Sequence, residues 1–241
     1  MKPIVPSMKY HAHDWNIVTK SEKEIERMEG LEFLSSSRFM GRCVEYYMCD
    51  YKAVKESADY YNSIINNRWF FAVITAKNFQ RKIIIISNFY ELQDKLIEFK
   101  ITEQTEGLLI VVINMIQKTE RCCAGVVFSD GDRDLRIEIL PDSVNTRDLT
   151  DGTKSSDSMI SMDRTLLTLN IVHEGDGEYI KTKEFKFIVE ELIRYCGNKR
   201  GYYEFIFGSD QNFKFPNLFF TYYSINSRYG YDRNYLWDEY R

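Results

Sequence analysis

Three short apolar runs separated by two charged links constrain the fold of this chain more than any other feature. The runs cover 109–115, 124–129 and 135–140, and the links contain the sequences QKTER and DGDRD. Charged residues mixed with Gly and Asp between short apolar runs are typical of turns between strands. The pattern therefore predicts an antiparallel sheet in this part of the chain.

Composition excludes several classes of protein. The chain has 241 residues, 44% of them hydrophobic, which is enough for one large domain or for two lobes around a cleft. The 32 basic and 36 acidic side chains form no basic stripe, so we expect no nucleic-acid partner. No apolar run approaches the length of a membrane span, and the first 15 residues lack the apolar core of a signal peptide. An odd number of cysteines, five, with Cys122 beside Cys123, favours a reducing cytoplasm.

Apolar periodicity and turn residues predict further elements on both sides of this region. A capping box formed by Ser21 and Glu24 predicts a helix that Gly30 ends. The pattern also predicts, in chain order, a helix over 50–65, strands over 69–75 and 82–86, a helix with Phe89, Leu92, Leu96 and Phe99 on one face, a loop over 141–163, a strand over 166–172, a helix over 184–195, and paired strands over 202–207 and 218–224.

The runs IVVINMI, AGVVF and RIEIL, in this order, resemble the nucleotide-binding domain of the phosphoenolpyruvate synthase and pyruvate phosphate dikinase family, which belongs to the ATP-grasp class. That family has a Gln-x-Met strand end, then Gly-Val-x-Phe, then Ile-Glu followed by a loop of small residues and a later Asp. The resemblance covers about 108–226, and Glu204 in YYEFIF matches the metal-binding Glu of the family. The other matching residues are Met115, Gly125, Val126, Phe128, Ile137 and Glu138, with Gly152 and Asp163 in the loop.

The resemblance implies an α+β protein, two-lobed and ATP-grasp-like, with antiparallel or mixed sheets. It implies an N-terminal arm and smaller lobe over 1–107, a larger lobe over 108–226, and an aromatic C-terminal tail over 227–241. The cofactors that it implies are ATP and Mg²⁺, with Glu204 as a metal ligand and Glu138 on the nucleotide side of the cleft.

A cation that contacts the phosphates is expected from the smaller lobe. Lys77, which follows an apolar strand in ITAKNFQRK, is the first candidate, with Arg81 and Lys82 nearby. A second candidate is SSSRFMGR, where Arg38 and Arg42 flank Gly41. The alternative interpretation of Lys77 is a charged hairpin turn. Likewise, the carboxylates of Glu138 and Glu204 fit the solvent-facing side of a half-buried strand.

Three departures from the family pattern reduce the expected activity. Ile113 replaces the Gln of Gln-x-Met, Tyr222 stands at a metal-binding Gln, and Ser224 stands at an Arg. Because phosphoryl transfer depends on positioning and charge neutralisation, we expect phosphotransferase activity to be weak or lost. A dikinase reaction would also require a phosphocarrier His domain on a partner chain.

The alternative hypothesis is a non-enzymatic protein-interaction module on an α+β scaffold. It would use the tyrosine-rich tail and the polar loop 141–163. Other chemical motifs are weak. His11, His13 and Asp14 form an H-x-H-D cluster without cysteines nearby, and His173 stands alone at a strand end.

Overall fold

The structure is a computed structural model, and it describes residues 22–35, 39, 42–65, 68–131, 134–150, 158–163, 168–173, 177–210 and 215–225. The described helices are α1 (Glu22–Leu34), α2 (Tyr51–Glu56), α3 (Ala58–Ile65), α4 (Phe89–Glu98), α5 (Arg147–Thr150) and α6 (Lys183–Cys196). The described strands are β1 (Tyr46–Cys49), β2 (Phe70–Ala76), β3 (Phe79–Ile86), β4 (Leu109–Asn114), β5 (Ile116–Gln117), β6 (Cys123–Ser129), β7 (Asp134–Pro141), β8 (Ser158–Asp163), β9 (Thr168–His173), β10 (Gly201–Asp210) and β11 (Asn217–Ser224).

The chain divides into two compact units, and the α+β class is confirmed. The first unit contains Val44–Met115 with the described residues up to Met28, and the second contains Glu29–Cys43 and the described residues from Ile116 onward. All strand pairings within the two sheets are antiparallel in the part of the chain that the structure describes. None of the described helices is long and apolar enough to cross a membrane.

The first unit is a four-stranded sheet in the order β1-β4-β2-β3 with helices packed on one face. The fully buried Phe70, Ile110 and Leu92 belong to its core, which joins the strands to α2, α3 and α4. Helix α4 begins because the Asn88 side chain accepts a hydrogen bond from the backbone N–H of Glu91, which caps the first turn.

The second unit is a seven-stranded sheet in the order β11-β10-β6-β7-β8-β9, with β5 pairing to β10. Helix α6 packs its apolar side, including the fully buried Ile188 and Leu192, against one face of this sheet. Thr182 caps the helix by accepting from the backbone N–H of Phe185 at 3.1 Å. Leu34, the last residue of α1, and Phe39, which follows that helix, complete the same core.

The three apolar runs at 109–140 do not lie in one sheet. The second and third run form β6 and β7, which pair as expected, but β4 pairs with β1 and β2 in the first unit. Strand β4 is the second of the four strands, and its residues from Leu109 to Val112 are buried on both faces. Sequence pattern cannot assign such a strand to a particular sheet, because both sheets would bury it equally well.

Two helices differ from their predicted bounds. Helix α1 continues through Gly30 to Leu34. A Cβ on Gly30 would lie 2.1 Å from the backbone oxygen of Tyr223, so this glycine permits close packing of the helix and does not end it. The predicted helix 50–65 is two helices, α2 and α3, separated at Ser57.

The loop predicted over 141–163 contains a strand. Its last six residues form β8, which pairs with β7 from Asp134 to Ile139. The Ser and Asp residues of SMISMD are typical of a loop, but the pairing with β7 makes this segment a strand. Several residues named from the sequence lie outside the described residues. They are His11, His13 and Asp14 of the H-x-H-D cluster, Ser21, Arg38, Gly41, Gly152 and the tail 227–241.

Candidate functional site

Glu138 and Glu204 lie in one row across three neighbouring strands of the seven-stranded sheet. Val126 of β6 is directly opposite Glu138 of β7 on one side and Glu204 of β10 on the other. Residues directly opposite each other in antiparallel strands share a face, so both carboxylates rise from the same face. Two strand spacings separate their backbones by about 10 Å.

This carboxylate face is opposite the face that packs on α6. Ile137 and Ile139, which flank Glu138 in sequence, belong to the core with α6. The carboxylate face is nevertheless covered, because Glu138 is only 3% exposed and Val126 is fully buried. The interpretation of Glu138 as a solvent-facing strand residue is therefore wrong.

The Glu138 carboxylate is neutralised by an arginine from its own strand. The Arg136 Nη2 donates to the Glu138 Oε1 at 2.7 Å, and the two side chains are 12% and 4% exposed. Residues i and i+2 of a strand share a face, so both groups lie on the carboxylate face. A buried carboxylate requires such a partner, since an unpaired charge in this environment is costly.

The Glu204 carboxylate accepts hydrogen bonds from two hydroxyl groups. Thr146 donates to Oε2 at 2.6 Å, and Tyr202 donates to Oε1 at 3.2 Å. Thr146 belongs to the turn that follows β7, and the fully buried Leu149 three residues later anchors this turn. Glu204 is half-buried, and both of its oxygens are engaged.

Lys77 occupies the two-residue turn between β2 and β3 in the first unit. Asn78, the second turn residue, has a φ of 60°, a left-handed conformation that Asn tolerates. The Lys77 Nζ lies 2.7 Å from each carboxylate oxygen of Glu106, on an exposed surface. The structure therefore brings Glu138 and Glu204 together in the second unit and places Lys77 in the first.

Two of the other cations named from the sequence, Lys82 and Arg42, have contacts of their own. Lys82 lies on β3 with its Nζ 5.9 Å from the centre of the Phe99 ring. Arg42 forms an ion pair with Glu191 of α6 at 2.9 Å. The ring contact of Lys82 and the ion pair of Arg42 are typical of side chains that stabilise packing.

The residues around Glu204 do not form a complete Mg²⁺ site. Tyr222 lies directly opposite Glu204, and Ser224 lies opposite Tyr202, so neither the amide nor the guanidinium of the family is present in this row. Mg²⁺ prefers octahedral oxygen ligands, of which Glu204 supplies one and the Arg136-paired Glu138 supplies none without losing its partner. Among the residues that the structure describes, no group of three or more His, Cys, Asp or Glu side chains is placed to hold a metal.

Sequence reasoning missed three residues of this face, Arg136, Thr146 and Tyr202. The alternation of a strand could have identified Arg136, because it precedes Glu138 by two residues. The same alternation places Tyr202 beside Glu204. Thr146 gave no signal, since its position depends on the path of the turn after β7.

Comparisons with known proteins identify no family for the chain. No family model matches it, and no curated protein matches it. Among solved structures, N5-carboxyaminoimidazole synthetase from Staphylococcus aureus is 14% identical with a TM-score of 0.40, over 88% of this chain and 46% of that one. The same enzyme complexed with ADP is 13% identical with a TM-score of 0.36, over 86% of this chain and 44% of that one.

D-alanyl-alanine synthetase A from Vibrio cholerae O1 biovar eltor is 8% identical with a TM-score of 0.36, over 80% of this chain and 53% of that one. The chain spans about half the length of these structures. At such low TM-scores, the likeness carries no argument about the site or the activity of this chain.

Proposed function

We propose that this chain is a diverged, ATP-grasp-like nucleotide-binding domain, similar to the phosphoenolpyruvate synthase type, with weak or lost phosphotransferase activity. One observation carries the proposal: Glu138 and Glu204, which are 66 residues apart in sequence, share one row of a sheet face. The matched segments GVVF, IEI and YYEFIF form β6, β7 and β10, which are immediate neighbours in that sheet. The resemblance would place these segments around a nucleotide.

The same face supports the proposal that catalysis is weak. Phosphoryl transfer requires cations that neutralise the phosphates and hard ligands that hold Mg²⁺. Glu138 is committed to Arg136, and Tyr222 replaces an amide ligand next to Glu204. A Mg²⁺ ion would therefore be held mainly by the phosphates, with Glu204 as its protein ligand.

Lys77 is our proposed phosphate contact from the first unit. Its pair with Glu106 is exposed, and such pairs contribute only about 0.2–1 kcal/mol to stability. Replacing the Glu106 carboxylate by a phosphate therefore costs little.

Thermal unfolding with and without ATP and Mg²⁺ tests the proposal. A ligand at ten times its Kd raises the free energy of unfolding by about 1.4 kcal/mol, which corresponds to a Tm increase of about 3–6 °C for a chain of this size. We expect Glu204→Gln to reduce the part of this shift that Mg²⁺ adds. Glu190→Gln, an exposed position on α6, serves as the control and should leave the shift unchanged. A wild-type Tm that does not change at 10 mM ATP would contradict the proposal.

One observation favours the second candidate, a protein-interaction module. Strand β3 is an edge strand of the first sheet, and its Ile83 and Ile85 are 53% and 55% exposed. Among the described strands none pairs with the outer edge of β3, and exposed isoleucines on such an edge are typical of surfaces that bind another chain. If ATP gives no shift and Ile83→Ser with Ile85→Ser abolishes co-purification of a partner, this candidate replaces the first.

A further inference from the structure

The outer edge of β3 carries backbone groups that are directed away from its own sheet. Where the ladder between β2 and β4 begins, the backbone N–H of Met115 donates to the carbonyl oxygen of Trp69 at 3.1 Å, so odd-numbered residues of β2 bond to β4. The even-numbered residues of β2 therefore bond to β3, where they lie opposite even-numbered residues. It follows that Ile83 and Ile85 direct their backbone N–H and C=O groups to the outer edge.

This edge has an apolar centre and opposite charges at its two ends. At one end, the backbone N–H of Ser87 donates to Oε2 of Glu91 at 2.8 Å, and the Ser87 hydroxyl group donates to Oε1 at 3.2 Å. At the other end is the exposed side chain of Arg81, and the exposed Ile83 and Ile85 lie between the two charges. Such an edge is complementary to an antiparallel copy of itself.

A two-fold axis at Ile84 aligns two copies of this edge. In a two-fold contact, residue i of one copy faces residue j of the other, and j faces i. With the axis at Ile84, Ile83 of each copy lies opposite Ile85 of the other, and these residues have the outward backbone groups. Arg81 then lies opposite Ser87, whose N–H holds the Glu91 carboxylate. Each end of the ladder therefore gains an ion pair between Arg81 and Glu91 of the second copy.

We propose that β3 pairs with β3 of a second copy of this chain across a two-fold axis at Ile84, which joins the two four-stranded sheets into one continuous sheet. The inference rests on the second candidate function, the interaction surface at Ile83 and Ile85, and names its partner. It does not depend on the nucleotide proposal. Two strand edges bury less than the roughly 1,200 Å² of a standard interface, so the dimer should dissociate on dilution.

Sedimentation velocity of the full chain over about a hundredfold range of concentration tests this proposal. We expect a dimer whose fraction falls on dilution. Ile83→Ser with Ile85→Ser removes the apolar pairs at the centre of the ladder and should raise the dissociation constant at least about tenfold. Ile97→Ser, at an isoleucine of α4 that is 69% exposed, is the matched control and should dimerise as the wild type does. A wild type that stays monomeric throughout would overturn the inference.

Exchange of the two charges tests the ends of the ladder. Arg81→Glu and Glu91→Lys each place like charges next to each other at both ends, and each should weaken the dimer. The two substitutions combined restore opposite charges and should return the dissociation constant to within about threefold of the wild-type value. A combined variant that is as weak as the single variants would overturn the contact between Arg81 and Glu91. Circular dichroism of each variant confirms that the fold is intact before association is compared.

Cysteine crosslinking tests the register. With the axis at Ile84, Ile84→Cys faces itself across a pair without backbone hydrogen bonds, where the Cα atoms are about 4.5 Å apart and a disulfide can form. Ile83→Cys lies diagonally at about 7–8 Å from its own copy, too far for a disulfide. Oxidation should therefore crosslink Ile84→Cys and neither Ile83→Cys nor the wild type with its five cysteines. Crosslinking of Ile83→Cys alone would overturn this register.

The outcomes separate this inference from the functions proposed above. A chain that stays monomeric but binds another protein through Ile83 and Ile85 would overturn the second copy as partner and leave the interaction surface standing. A dimer that Ile83→Ser with Ile85→Ser does not weaken forms through a different surface and also overturns the inference. A dimer that depends on both isoleucines supports it, whether or not ATP raises the Tm.

Discussion

Glu138 shows how far a single residue can be understood from sequence. Its alternation with Ile137 and Ile139 correctly places it on the opposite side of the strand from the core with α6. The alternation does not show that this side is also covered, because the covering residues come from elsewhere in the chain. The pairing with Arg136 follows from the period of a strand, whereas the hydroxyl group of Thr146 on Glu204 does not.

The buried thiols provide a prediction at the residue scale. Burial raises the pKa of Cys49 and of Cys123 to about 12. Thiols in the unfolded chain have a pKa of about 8.5. The unfolded state therefore loses its thiol protons at a lower pH than the folded state. As a result, the free energy of unfolding falls as the pH rises from about 8.5 toward 12. Between pH 8 and pH 10 each thiol should account for a loss of about 2 kcal/mol.

Urea unfolding of Cys49→Ala at these two pH values measures this loss. The variant should lose about 2 kcal/mol less than the wild type between pH 8 and pH 10. Val54→Ala removes a buried side chain of the same core without a titrating group, and should lose as much as the wild type. An identical pH dependence for Cys49→Ala and the wild type would show that this thiol does not govern the effect.

At the scale of elements, the sequence pattern predicted the bounds of those helices and strands that depend mainly on their own residues. Helix α6 and the strands β10 and β11 lie within a few residues of their predicted bounds. The apolar residues of α6 follow a regular 3.6-residue period, and the apolar runs of β10 and β11 are separated by turn residues. The prediction failed where a distant element decides the outcome. Strand β4 joins the first sheet, and Gly30 lies inside α1 because the backbone of β11 approaches it.

Gly30→Ala tests this explanation of the α1 boundary. Alanine favours a helix over glycine by about 1 kcal/mol, so an exposed Gly30 would gain stability on substitution. The close approach of the Tyr223 backbone oxygen predicts the opposite, a loss of about 1–3 kcal/mol or more through overpacking. Glu32→Ala, at an exposed position of the same helix, should change the free energy of unfolding by less than about 0.5 kcal/mol in urea titrations. A stabilised Gly30→Ala would disprove the close packing.

At the scale of the whole molecule, each unit has its own hydrophobic core. The sequence predicted two lobes from the resemblance, but it could not show that 29–43 belongs with the second unit. That assignment depends on contacts such as Phe39 with Phe220, whose ring centres are 5.1 Å apart although the residues are far apart in sequence.

Phe39→Ala tests whether this segment completes the second core. Truncation of a fully buried Phe costs about 3–5 kcal/mol, so we expect faster hydrogen exchange in β10 and β11. Phe215→Ala, at a side chain that is 80% exposed, is the matched control and should leave exchange in these strands unchanged. Equal exchange in the two variants would show that the segment 29–43 does not contribute to the core of the second unit.

Hydrogen exchange with and without ATP and Mg²⁺ tests the proposed nucleotide site most directly, since it locates the ligand as well as detecting it. Binding on the carboxylate face should slow exchange in β6, β7 and β10 and in the turn that carries Thr146, and Glu204→Gln should reduce the part of this protection that Mg²⁺ adds. If ATP protects none of these segments, or protects only segments elsewhere in the chain, the carboxylate face is not a nucleotide site.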